Sequence, residues 1–170
     1  MLSASSHKFH GPKGCGFLYA DKNTGIKPFI YGGGQERGQR SGTENVPGIL
    51  GMVKAAEISH RIMDENNRKL RKINDYMTDR ILNEIDDCIC NGNRENRLSN
   101  NINVSFGNID GKALLVLLDM EGVYVSGASA CNGGKEKSYV LSSLGVPEKY
   151  AEGTIRMTMD YSLPDRKSGS

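Results

Sequence analysis

The chain has 170 residues, and its 22 lysines and arginines against 20 aspartates and glutamates leave a net charge of only +2. The basic residues are interspersed with acids rather than gathered, which argues against a nucleic-acid or acidic-membrane partner. A hydrophobic fraction of 37% with 25% charged residues fits a soluble globular protein of one or two small domains.

The longest uninterrupted apolar run, Ala113 to Leu118, falls far short of the roughly 20 residues that a membrane helix requires. No apolar core follows a charged region at the N-terminus, so the expected location is cytoplasmic. Cys15, Cys88, Cys90 and Cys131 show none of the C-x-x-C spacing that zinc sites favour, and at least three of them read as reduced structural thiols.

In chain order, Ser3-Ala4-Ser5-Ser6-His7-Lys8-Phe9-His10 comes first, followed by the tight turn Gly11-Pro12-Lys13-Gly14. A lone lysine set among hydroxyls and imidazoles suits a small anionic ligand. In an enclosed site its amine loses proton affinity and becomes a nucleophile able to form a Schiff base. Taken alone, the same four residues Ser-Ser-His-Lys also describe an ordinary polar loop.

Gly16–Ala20 reads as a strand, and Ile26–Tyr31 as a second strand completing a hairpin with it. Gly32–Gly38 is too glycine-rich for a regular element and predicts a loop with unusual backbone angles. It lacks the lysine and hydroxyl ending of a nucleotide-binding P-loop. Asn45, before Val46 and Pro47, caps a helix expected to reach about His60.

Leu70, Ile73, Met77, Ile81 and Ile85 recur at steps of three and four, the stripe of a long amphipathic helix over 64–85. The stripe marks entry into a second domain. Ile102, Val104 and Phe106 alternate with polar residues on a half-buried strand. Asp110 caps an apolar helix that Gly122 ends, and Val123–Val125 is expected as a short buried strand. Lys135–Leu144 reads as a helix closed by Gly145, and Ile155, Met157 and Met159 alternate around Arg156 on a last strand. Helices alternating with strands over 64–160 make an α/β unit.

The Ser-x-His-Lys motif with its Gly-Pro-Lys-Gly sequel, Arg40-Ser41-Gly42-Thr43-Glu44-Asn45-Val46, and Ser126-Gly127-Ala128-Ser129-Ala130-Cys131 stand in one order. Together they resemble the cysteine desulfurases, pyridoxal-phosphate enzymes of the class V aminotransferase group, from Met1 to about Ser162. The resemblance implies the C-terminal portion of a fold-type I pyridoxal-phosphate transferase. Residues 1–60 would be the remnant of the large cofactor-binding domain, 61–162 the small α/β domain, and 163–170 a disordered tail. The other half of such an enzyme would lie before Met1.

By the same resemblance, Lys8 holds pyridoxal 5'-phosphate covalently, and Ser5 and His7 contact its phosphate. Thr43 reaches the cofactor of the other subunit of a homodimer. Arg156 grips the carboxylate of L-cysteine with its planar fork, and Cys131 takes the sulfur as a persulfide for a sulfur acceptor or iron-sulfur scaffold protein. Composition alone favours packing for Cys131 and a surface ion pair for Arg156. The alternatives are a non-catalytic dimerisation or sulfur-acceptor fragment of such an enzyme, a selenocysteine lyase, or another class V aminotransferase.

Overall fold

The computed structural model describes residues 1–127 and 138–162. The chain divides into two compact units, Met1–Met63 and Asp64–Ser170. Cys131, the N-terminal end of the helix expected from Lys135, and the tail 163–170 lie outside the described residues.

In the first unit, β1 (Leu2–Ser5) and β2 (Gly16–Tyr19) pair antiparallel, with Leu2 opposite Tyr19 and Ser5 opposite Gly16. The hairpin partner of β2 is therefore the upstream segment and not Ile26–Tyr31, which contains no strand. Pro28, in the middle of that segment, has no amide proton to give to a ladder. The segment is held instead through the Ile30 carbonyl, which accepts from the Ser41 amide at 3.4 Å and from Ser41 Oγ at 3.2 Å. The glycine-rich loop carries the expected unusual angles, with positive φ at Glu36, Arg37 and Gly38.

Helix α1 runs unbroken over Val46–Glu84, 39 residues. Asn45 Oδ1 accepts from the Gly48 amide at 3.1 Å, as the capping pattern predicts. The expected break near His60 is absent, because residues 60–67 contain neither glycine nor proline to end the helix.

In the second unit, β3 (Cys88–Cys90), β4 (Asn101–Phe106) and β5 (Thr154–Thr158) form an antiparallel sheet with β4 in the centre. Period-two alternation turns Ile102 and Val104 to the core, where they meet Leu70, Ile155 and Met159. Ile73, Met77 and Ile81 of α1 pack against this cluster, so the apolar stripe is core-facing as read. The same face of α1 also carries Asn74 and Thr78, both buried. Asn74 Nδ2 donates to the carbonyls of Ser99 (3.1 Å) and Asn101 (2.9 Å), and Thr78 Oγ1 donates to Asn74 Oδ1 (3.2 Å).

Helix α2 (Gly111–Met120) is capped by Asp110, whose Oδ1 accepts from the amides of Lys112 and Ala113. Gly122 follows with a φ of 75°. Val123–Val125 is not a buried strand. Val123 and Tyr124 are exposed, and this stretch joins the sheet only where Ser126 bridges Arg156. Short helices α3 (Tyr139–Ser143) and α4 (Glu148–Ala151) lead into β5; α3 starts at Tyr139 and not at Lys135, because extended Ser138 caps it, its hydroxyl accepting from the Leu141 amide.

Asp87, at a φ of 49°, ties the sheet to α4: its Oδ1 accepts from Lys149 Nζ and Tyr150 Oη, both at 2.8 Å. Hydrogen bonds first from Lys149 and then from Tyr150 hold this carboxyl below its ordinary range. Stability from a depressed carboxyl is fully present above its unfolded value of about 4, and is lost as pH falls toward the folded one. Asp87→Asn, which tolerates the same left-handed backbone, is therefore expected to flatten the acid limb of the pH–melting curve between about pH 5 and 2. Because the pair is exposed, raised salt should shrink the difference from wild type. Parallel limbs in the two proteins would contradict this role.

Candidate active site

The lysine motif occupies the turn between β1 and β2. Ser6–Phe9 form a single 3₁₀ turn, ended by His10 in the left-handed conformation at φ 67°. Ser5 Oγ and His7 Nδ1 share a hydrogen bond of 3.0 Å, and Lys8 is the next residue in the same turn. A hydroxyl, an imidazole and an ammonium are thus presented within four consecutive residues. Lys8 and His7 are exposed. The enclosure expected around the lysine is not supplied by the described residues of its own unit.

Thr43 is exposed in the same unit, after Gly42, whose φ of 110° turns the backbone and whose amide donates to Gln35 Oε1 at 3.2 Å. Arg40 Nη1 donates to the Ser41 carbonyl at 2.7 Å, and Ser41 is buried. Among the described residues no hydrogen bond links Thr43 to Ser5, His7 or Lys8.

Arg156 belongs to the second unit. It lies on β5 opposite Asn103 of β4, half-buried, with its amide and carbonyl engaged by Ser126 at 2.6 and 3.0 Å. These backbone bonds join Ser126 to the strand edge. Cys131 lies outside the described residues. Among the described residues no cluster of three or more histidines, cysteines or acids could hold a metal ion, and no helix is long and apolar enough to cross a membrane.

What sequence reasoning passed over is how the lysine turn is held. Ser6 is wholly buried with no hydrogen-bond partner for its hydroxyl, and Cys15 Sγ donates to the Gly48 carbonyl of α1 at 3.2 Å. Gly11, four residues before Cys15, carried the one signal, a glycine directly after the imidazoles.

Comparison with known proteins bears on the family of the chain. The chain is 49% identical over 160 residues to cysteine desulfurase IscS of Dictyoglomus turgidum, covering 94% of this chain and 41% of that protein. It is 46% identical over 160 residues to cysteine desulfurase IscS of Methanosarcina thermophila, with 94% and 39% covered. The chain therefore spans about two fifths of the length of these relatives. Among solved structures, a NifS-like protein superposes with a TM-score of 0.82 at 39% identity, over 96% of this chain and 41% of its own. A NifS-like protein from Rickettsia africae gives 0.79 at 30% identity, over 95% and 42%. The mixed α/β architecture is thus that of part of the NifS-like fold. The aminotransferase class-V model matches residues 1–162, nearly the whole chain, and by that match the chain belongs to the class-V aminotransferase family.

Proposed function

We propose that the protein carrying this chain is a cysteine desulfurase that removes sulfur from L-cysteine, and that Lys8, Ser5, His7, Thr43, Arg156 and Cys131 are its contribution to the active site. Pyridoxal 5'-phosphate is the cofactor of this family. The donor set suits it: Ser5 and His7, bonded to each other at 3.0 Å beside Lys8, offer an oxyanion neutral or cationic donors next to an amine. That juxtaposition is the observation which carries the reading.

When bound, the cofactor draws electrons from the substrate's Cα, so the protein's own work is placement and proton transfer. Lys8 Nζ anchors the cofactor and then moves the Cα proton. Ser5 and His7 hold the phosphate, with Thr43 reaching the site of the second subunit in a homodimer. Arg156 pairs with the substrate carboxylate through a two-pronged hydrogen bond. The Cys131 thiolate attacks the substrate sulfur: an S–S bond forms, the C–S bond breaks, and the carbon takes up a proton. L-cysteine leaves as L-alanine, Cys131 is left as a persulfide, and no outside oxidant is needed. A sulfur acceptor or iron-sulfur scaffold protein in the cytoplasm would consume it. Residues 1–60 then belong to the large cofactor-binding domain and 61–162 to the small domain.

A second reading, a non-catalytic dimerisation or sulfur-acceptor piece, draws on the exposure of Lys8 and of the apolar residues around it. Absorbance decides between them. With added pyridoxal phosphate, the wild-type protein is expected to gain a band at roughly 400 nm that Lys8→Ala lacks. No band in either protein would sink the enzyme reading in favour of the second.

A further inference from the structure

The Lys8 side chain has no hydrogen-bond partner among the described residues, so the backbone of its turn sets the point from which its flexible chain reaches out. That backbone is pinned from both sides. The Ser6 amide donates to the Cys15 carbonyl at 3.0 Å, and the Ser6 carbonyl accepts from the amides of His10 and of Gly11, the latter at 3.0 Å. Ser6 is thus the knot where the turn closes. Its hydroxyl is fully buried, with no hydrogen-bond partner among the described residues.

Position 11 has no room for a side chain. A Cβ there would overlap Ser6 Oγ, and would lie 3.2 Å from the Ser6 carbonyl oxygen and 3.3 Å from Ala55 Cβ of α1. The neighbouring Pro12 sits on Gly51, where a Cβ would come within 3.0 Å of the proline ring. Cys15 Sγ donates to the Gly48 carbonyl at 3.2 Å, and Ser59 Oγ donates to the Phe9 carbonyl at 3.5 Å. Gly48, Gly51, Ala55 and Ser59 are spaced by three, four and four, so they form one face of α1. The turn therefore rests on a helix face of small residues, and the contact of Ser6 with Gly11 sets its height above that face.

We propose that Ser6 and Gly11 are positioning residues for Lys8, their direct packing against each other, with Gly11 beside Ala55, fixing the place from which the lysine reaches the cofactor. This rests on the functional reading above. A displacement of about 1 Å near reacting atoms costs on the order of a hundredfold, so a misplaced turn should be plainly visible.

The test uses the full-length protein carrying this chain, incubated with pyridoxal phosphate and reduced with borohydride, and follows the fraction of Lys8 found as the pyridoxyl derivative by peptide mass. Gly11→Ala is expected to slow trapping at Lys8 by about tenfold or more. Ser6→Gly, which removes the overlapping hydroxymethyl group, should rescue it, bringing Ser6→Gly/Gly11→Ala to within about threefold of Ser6→Gly alone. Gly25→Ala, at a glycine with open space around it, should match wild type. Because removing the overlap would also repair a loss of fold, trapping is read only at a temperature where circular dichroism shows each variant fully folded. Unchanged trapping in Gly11→Ala overturns the proposal, as does a double variant no better than Gly11→Ala. Where Gly11→Ala is not recovered folded, a tenfold deficit of the double variant against Ser6→Gly, about the single-variant effect expected above, overturns it equally. Absence of trapping at Lys8 in wild type overturns the functional reading itself, a result distinct from trapping that Gly11→Ala leaves unmoved.

Discussion

Cys131→Ser in the full-length protein is expected to reduce sulfide release from L-cysteine by at least about a thousandfold, while the band of the Lys8-bound cofactor remains. The two effects separate because the lysine turn and the thiol do different work. Lys8 handles the amine and the Cα proton, whereas the S–S bond requires a soft nucleophile that ionises near neutral pH. A serine hydroxyl does neither: it stays protonated, and oxygen has no persulfide to form. Cys88→Ser provides the contrast. Burial first, and then Asp86 and Asp87, push the Cys88 thiol above its ordinary range, and its sulfur is spent on the carbonyls of Ile81 and Ile85. That variant should keep sulfide release near the wild-type rate. Release that survives Cys131→Ser would remove the persulfide role, and with it the order of steps proposed above.

The second large effect is on stability. Ile102→Ala should cost about 3–5 kcal/mol, read as a lower denaturant midpoint at unchanged slope. Ile102 is completely buried on the central strand of its sheet, in contact with a cluster drawn from α1, β4 and β5. Truncation there loses the transfer energy of three carbons and leaves a hole bounded by sheet on one side and helix on the other, neither free to collapse. Leu117→Ala on the outer face of α2, where Leu117 is 61% exposed, should change stability by less than about 0.5 kcal/mol. A loss below about 1 kcal/mol at Ile102 would mean that this cluster does not hold the unit together.

The second unit was legible because its signals are local and periodic. Ile102 and Val104 alternate, Leu70 to Ile81 recur at helical steps, and Asp110, Gly122 and Gly145 mark helix ends through hydrogen bonds and backbone angles that short sequences encode. Asn74 and Thr78 were not legible, since a polar residue on a core face announces no partner: Asn74 bonds the carbonyls of Ser99 and Asn101, more than twenty residues on, and Thr78 bonds Asn74. The hairpin was misread for a related reason. Gly16–Tyr19 shows a strand, but which neighbour it pairs with depends on Pro28 lacking a proton and on the chain reversing through Ser6–Gly11. The lysine motif was legible as a combination of residue types. The packing that holds it was not, because Ser6 looks like a ligand-binding hydroxyl until its burial is seen.

Among the described residues the hairpin of β1 and β2 has two unpaired edges, and Phe17, Leu18 and Tyr19 are exposed, as are Phe29 and Tyr31 downstream. Such a ribbon is what folding helpers and degradative enzymes grip on a newly made polypeptide. A surface that shields those rings would therefore protect this unit from both, and its resistance to added protease reads out whether they are covered.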